Sequence, residues 1–513
     1  MSYDSKRLFA CGLLLFAWAT AAAPSKSGWS EVTTPHVTVK TDLSLDAAER
    51  AAVLAERTRA ALLAVAWSGA KLPQERVELV VFSDHQDFER YFGDLVRYKV
   101  GLEAYPPTIF LYGPPERWEQ RASMELEETT SPLKLALMQH LATFFYRRAP
   151  RWFTTGVAEF FETLRISPDG TSAILGGVNI LAISRYRNQR TLKVADALAW
   201  GTTLNPRDEG TVGGLEGLSW LMVNWMFNTH LAEFVRFQKL LVTGMDPTKA
   251  WSVVFPPATV ANIDQELNNF ALYGPFGRAV LTLPEGEYTF DSERPMTSAE
   301  VHATRAAAAL AAEHAKQAQT ELSAALADDP GNVFALRRQL PLVKPAEALA
   351  LGRLATAAHP DDGLAWLTLG DALKEGGETS EERAQAYKKA TELSSNHPAA
   401  FDALAAMSVK KGRADEALPL ALNAVRMAPW DAGFLDILAS ALAGVARCSE
   451  AVAMEARAVD KASETSGASQ RAVYAARLAE IQKSCVEAPQ TDVPSPAPLS
   501  PAAPSPPVPA RKP

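Results

Sequence analysis

Between residues 401 and 458 the chain repeats itself at a spacing of 34. Phe401, Leu404, Ala417 and Ala424 recur as Leu435, Leu438, Ala451 and Ala458. One unit earlier Trp366, Leu369, Gly370 and Ala390 hold the matching places, with a one-residue slip near Gly376-Gly377. A unit this short cannot bury its own apolar face, so it has to stack on copies of itself. The small residues at fixed places let paired helices approach closely, and the stacked pairs bury one continuous core. Ala is used most heavily after residue 300, which favours helix. The second part of the chain is therefore expected to be an all-α solenoid.

The period and the W-x-x-L-G opening at Trp366, Leu369 and Gly370 resemble the tetratricopeptide repeat, and Pro429 stands where such a unit ends. The resemblance spans 363–486 when a capping helix over Gly467–Cys485 is included. Degenerate helical repeats ending at Pro330 and Pro360 fill 296–362. Residues 487–513 hold ten prolines among Ala and Ser, a composition that packs no core and reads as a disordered tail. The resemblance implies a concave face that takes a protein or peptide, lined by the first helix of each unit. Leu367, Asp371, Lys374, Asp402, Lys410, Asp436 and Ser440 are the binding candidates. A merely solvated helix face would have the same composition.

A net charge of −8 with no basic stripe argues against a nucleic-acid partner. The chain opens with Lys6-Arg7, an apolar run from Leu8 to Thr20, and small residues at Ala19, Ala21 and Ala23. Residues 1–23 read as a signal peptide, which predicts export to the periplasm or cell envelope of a bacterium and no membrane span once the signal is removed. Cys448 and Cys485 then remain, bracketing the last predicted helix. In an oxidising compartment they are a disulfide candidate, the alternative being two unpaired thiols.

The first half alternates strands and helices: strands near Val37, at Val77–Phe82 and at Thr108–Tyr112, then helices at Ser131–Arg148, Arg151–Ile166 and Leu215–Phe227. Thr211–Gly217 reads as a flexible Gly-rich loop, and Ser292–Pro295 as the boundary to the repeats. The pair His140-Leu141-Ala142-Thr143-Phe144 and Trp152-Phe153-Thr154-Thr155-Gly156-Val157-Ala158 resembles the H-E-x-x-H and W-x-x-E-G-x-A helices of the gluzincin metallopeptidases, in particular the peptidase MA-like domain. The fold class expected is thus an α+β zincin-like N-terminal domain over 24–295 followed by an all-α tetratricopeptide-type solenoid.

Catalytic zinc needs three protein ligands and an open position, with a general base beside them. Carried over residue by residue, the resemblance puts the first ligand at His140, the base at Leu141, the second ligand at Phe144 and the third at Thr155. Only His140 keeps a donor suited to zinc. His36, His85, His140 and His230 are the histidines between the signal and residue 300, and no two are spaced for one helix face. His140 is then expected to be a vestigial core histidine, hydrogen-bonded to a carbonyl or a Glu, and Thr155 a helix cap. The predicted function is a non-catalytic, pseudoenzyme-bearing scaffold without cofactor. The alternative is an active metallopeptidase with a rearranged zinc site built from His140, His230 and Glu159.

Overall fold

The computed structural model describes residues 26–67, 76–94, 97–101, 106–118, 120–123, 126–146, 148–284, 286, 288–375, 380–465 and 468–487. The signal segment and the Pro-rich tail lie outside the described residues. The first part runs β1 (Lys26–Thr33), β2 (Val37–Thr41), α1 (Leu45–Ala66), β3 (Val77–Phe82), α2 (His85–Phe92), β4 (Lys99–Gly101), β5 (Thr108–Tyr112), β6 (Gln120–Ser123), β7 (Leu126–Thr130), α3 (Pro132–Phe145) and α4 (Arg151–Glu162). It continues through β8 (Arg165–Ile166), β9 (Ser172–Leu175), α5 (Ile180–Asn188), α6 (Val194–Ala199), α7 (Glu209–Thr229), α8 (Leu231–Val242), α9 (Pro247–Val254), α10 (Pro257–Tyr273), β10 (Ala279–Thr282) and β11 (Ser292–Thr297).

The main sheet has the order β11-β1-β2-β3-β5-β4. Its centre, β2-β3-β5, is parallel, with antiparallel neighbours on both sides. A parallel centre must be covered on both faces, which is why β3 reads VELVVF with little polar alternation. Leu79, Val81, Ile109 and Leu111 join the large core under α1 and α3. Val80, Phe82 and Phe110 face the other way, toward Trp29, Phe88, Met296 and Val301.

Val301 belongs to the solenoid, whose helices are α11 (Ser298–Ala311), α12 (Ala315–Asp328), α13 (Val333–Gln339), α14 (Pro345–Ala358), α15 (Gly363–Glu375), α16 (Ser380–Leu393), α17 (Pro398–Lys410), α18 (Ala414–Met427), α19 (Ala432–Gly444), α20 (Cys448–Thr465) and α21 (Ala468–Glu487). Ser292–Pro295, expected as the boundary to the repeats, falls within the strand that immediately precedes α11. It is part of β11, which pairs with β1, and α11 follows at once to cover the back of the sheet. The two parts share a core, so the apparent boundary in composition is a strand edge. Thr297 caps α11 in a capping box with Glu300.

Helices α16, α18 and α20 start at residues 380, 414 and 448, two steps of 34. Ala390, Ala417, Ala424, Ala451 and Ala458 are fully buried where the paired helices meet. At Gly370 a Cβ would stand 2.5 Å from the Tyr387 ring, so the W-x-x-L-G glycine is needed for α15 to approach α16. The solenoid is all-α and built of stacked helix pairs that follow the 34-residue period.

Cys448 and Cys485 are joined by a disulfide with Cα atoms 5.5 Å apart, tying the start of α20 to the end of α21. The bridge closes a loop of 37 residues. Reduction, or Cys448→Ser, should lower stability by about 3–4 kcal/mol on the chain-entropy account. A thermal melt with and without reductant checks this, and coincident curves would refute it. Among the described residues no helix is long and apolar enough to cross a membrane.

Candidate functional site

Ser131 starts α3 by accepting a hydrogen bond from the Lys134 N–H, and Pro132 sits in the first turn where its missing N–H costs nothing. Nearly every side chain of α3 is buried, including His140 (2% exposed) and Leu141 (1%). His140 is not the hydrogen-bonded core histidine expected from sequence. Its Nδ1 is buried and has no hydrogen-bond partner among the described residues. Its ring lies edge-on to Phe144 at 5.1 Å and to Trp430 at 5.5 Å, and Phe144 lies edge-on to Trp430 at 5.4 Å.

Trp430 comes from the turn between α18 and α19, so the solenoid closes the face of α3 that carries His140. Arg148 fastens the same contact, with its Nε 2.6 Å from Asp460 and a second nitrogen 3.3 Å from Asp246. Burial, with the Arg59 guanidinium adding to it, pushes His140 down to about 3. The ring is neutral at physiological pH, and Arg59 makes its surroundings unfavourable to a further cation.

Thr155 does not cap a helix. Pro150 occupies the N-cap of α4 and Thr155 lies inside it, half-buried. The helix begins earlier because Pro150 pre-sets its entry, and Gly156 then packs where a Cβ would meet the Ser219 carbonyl oxygen at 2.3 Å. Thr211–Gly217 is likewise helical, within α7, which Asp208 caps. Its glycines serve close packing. A Cβ at Gly217 would stand 2.4 Å from the Ala182 oxygen on α5.

The proposed rearranged set does not assemble. His230 occupies the N-cap position of α8 with its ring tilted against Trp225 at 4.3 Å, while Glu159 is held by Arg185. Among the described residues no three His, Cys, Asp or Glu side chains form a group able to hold a metal.

A polar network that sequence reasoning missed lies beyond α3. Arg185 binds Glu159 through both oxygens at 2.8 Å and Glu216 at 2.6 Å. Asn179, which caps α5, donates to Glu159 at 3.1 Å and Glu162 at 3.3 Å, and Arg97 reaches Glu162 at 2.9 Å. Burial pushes Glu159 up to about 7 against the pull of Arg185. The one signal in the sequence was two carboxylates three apart on an otherwise apolar helix. The network joins α4, α5 and α7, and every carboxylate in it is taken by an Arg, so it reads as a buried tie.

The solenoid carries a cavity of about 550 Å³ lined by α13, α15, α16, α17 and α19. Four of the seven binding candidates line it: Asp371, Lys374, Asp402 and Lys410. Leu367 does not; it is 1% exposed and packs in the repeat core. Asp436 and Ser440 lie further along, against Arg477 of α21, at 3.6 Å and 3.3 Å. The helix that lies against these two residues is α21, where a capping helix over Gly467–Cys485 was expected. Arg337, Arg383, Tyr387 and Phe434 complete the wall and were not singled out from sequence.

On α20 Glu455 is fully buried and faces Asp436, with neither of its oxygens hydrogen-bonded to a donor. Burial, and then the Asp436 charge, push Glu455 up to about 8. The folded chain therefore keeps a proton there that the unfolded chain releases near its ordinary range, and stability falls as pH rises between the two. From about pH 5 to pH 8 this group should cost on the order of 3 kcal/mol, and Glu455→Gln should remove that loss. Urea unfolding at the two pH values measures it. Equal pH dependence in wild type and variant would show that Glu455 is ionised throughout.

A family model described as a protein of unknown function (DUF1570) matches residues 143–245, from the end of α3 to the end of α8 and just beyond. No curated protein matches. Solved structures similar to the chain include a thermophilic TPR protein of Thermus thermophilus (20% identity, 35% of this chain and 99% of that one, TM-score 0.30). Others are MamA of Desulfovibrio magneticus RS-1 (21%, 29% and 92%, TM-score 0.23) and PilF of Pseudomonas aeruginosa (17%, 37% and 88%, TM-score 0.29). Scores this low carry no argument, and the repeat assignment stands on the helix pairs themselves.

Proposed function

We propose that this chain is an exported, non-catalytic scaffold. In this reading a degenerate peptidase MA-like domain of gluzincin type is fastened to a tetratricopeptide solenoid that binds a protein or peptide. Export rests on the sequence of residues 1–23, and the disulfide is compatible with an oxidising compartment. The observation that carries the scaffold reading is the solenoid cavity, large enough for several side chains and lined by charged groups from successive repeats.

The non-catalytic part rests on residue chemistry. Leu141 has no proton acceptor, Phe144 is an apolar ring, Thr155 is a neutral hydroxyl, and Trp430 covers the surviving imidazole. A general base and a water cannot be seated there without moving the solenoid. The test is peptidase activity of the full chain with and without chelator, beside His140→Ala and zinc analysis after dialysis. No chelator-sensitive cleavage and no stoichiometric zinc are expected. Cleavage that chelator and His140→Ala both abolish would establish the rearranged metallopeptidase instead.

A further inference from the structure

Of the four cations around the solenoid cavity, Arg337 is paired with Asp371, while Lys374, Arg383 and Lys410 form no ion pair among the described residues. Lys374 and Lys410 stand at the ends of α15 and α17 and are exposed, and Arg383 reaches the cavity from α16. The Nε of Arg383 is buried without a hydrogen-bond acceptor among the described residues. The acids of the cavity form no ion pair with these three, although Lys374 lies near enough to Asp402 for its charge to be felt there. Asp371 accepts from Arg337 at 3.3 Å and from the Tyr387 hydroxyl at 3.0 Å. Asp402 turns Oδ1 inward, where no donor meets it. Between these groups the wall is apolar, with Leu340, Met407 and Phe434.

We propose that this cavity takes an acidic peptide, with its carboxylates on Lys374, Arg383 and Lys410 and an apolar side chain against Met407 and Phe434. The proposal deepens the scaffold reading and rests on it. Three cations on three helices suit carboxylates spaced along a chain better than one compact anion, and the apolar wall gives a peptide a contact that a bare anion lacks. Arg383 supplies a planar fork matched to a carboxylate, whereas the two lysines act as point charges at the rim. Burial pushes Asp402 up to about 8, so at neutral pH it does not oppose an incoming carboxylate.

The experiment is selection from a random-sequence peptide library on the immobilised full-length protein, followed by fluorescence anisotropy of the selected peptides at low and high salt. Lys374→Glu/Lys410→Glu is run in parallel, with its thermal melt compared to wild type. The wild type should enrich peptides rich in Asp and Glu, bound less tightly as salt rises. The double variant should bind them ~10-fold more weakly and enrich basic peptides instead. Enrichment of neutral or basic peptides by the wild type would overturn the acidic assignment while leaving the scaffold reading in place. So would acidic peptides whose affinity the double variant leaves unchanged, since they bind elsewhere. No enrichment of any peptide class would retire the scaffold reading itself.

Discussion

Leu141→Glu, Phe144→His and Thr155→Glu made together should leave a metal-free protein less stable by roughly 5 kcal/mol or more. Leu141 is 1% exposed, so a carboxylate there is taken out of water into an apolar core. Phe144 loses its ring contacts with His140 and Trp430. Zinc should recover part of the loss if α3 and α4 carry the backbone of a zinc site, because two imidazoles at i and i+4 with a carboxylate from the next helix complete a ligand set. The Arg59 guanidinium and the Trp430 ring both work against occupancy, so recovery should be larger when Trp430→Ala is added. Melts with and without zinc measure this. A stability loss that zinc leaves unchanged in both backgrounds would mean that the resemblance of α3 and α4 to a zinc site is one of sequence alone.

Trp430→Ala by itself should lower the unfolding free energy by about 3–5 kcal/mol, the usual range for deleting a large buried ring. Trp430 is 8% exposed and its contacts lie across the junction of the two parts. The variant removes the apolar half of that junction and leaves the Arg148–Asp460 ion pair as its polar half. A half-exposed ion pair is worth about 1 kcal/mol or less, so it cannot hold the junction alone. The front of α3 should then become accessible while α11 stays packed on the sheet. Hydrogen exchange should rise over α3 and the α18–α19 turn and stay low over β1, β11 and α11. Unchanged exchange over α3 would show that the ring contacts are incidental to how the solenoid sits.

The repeat was readable because stacking demands the same small residues at the same places. Ala417, Ala424, Ala451 and Ala458 are all fully buried where the period puts them. The three parallel strands at the sheet's centre were equally plain, since a sheet covered on both faces is largely apolar, as in VELVVF with its single Glu78. Thr211–Gly217 misled for a definite reason. Glycines that mark a loop by composition here let α7 lie against α5, and only the neighbouring helix tells the two uses apart. At Ser292–Pro295, read as the boundary to the repeats, composition could not show that the segment is also a sheet-edge strand paired with β1.

What the amino-acid order determined by itself is the set of local periods: a helical repeat of 34 residues, a buried parallel strand pattern, and a helix pair that resembles a zinc site but holds Leu at the base position and Phe and Thr at two of the three ligand positions. Each of these follows from interactions a few residues apart or from one stacking rule. Contacts across long separations were decided only by the tertiary structure. Trp430 meets His140, Arg148 meets Asp460, and α11 shares a core with β3 and β5, although nothing in the spacing of those residues relates them. Periodicity says which face of an element is buried but not what buries it, and here one half of the chain closes the pocket of the other.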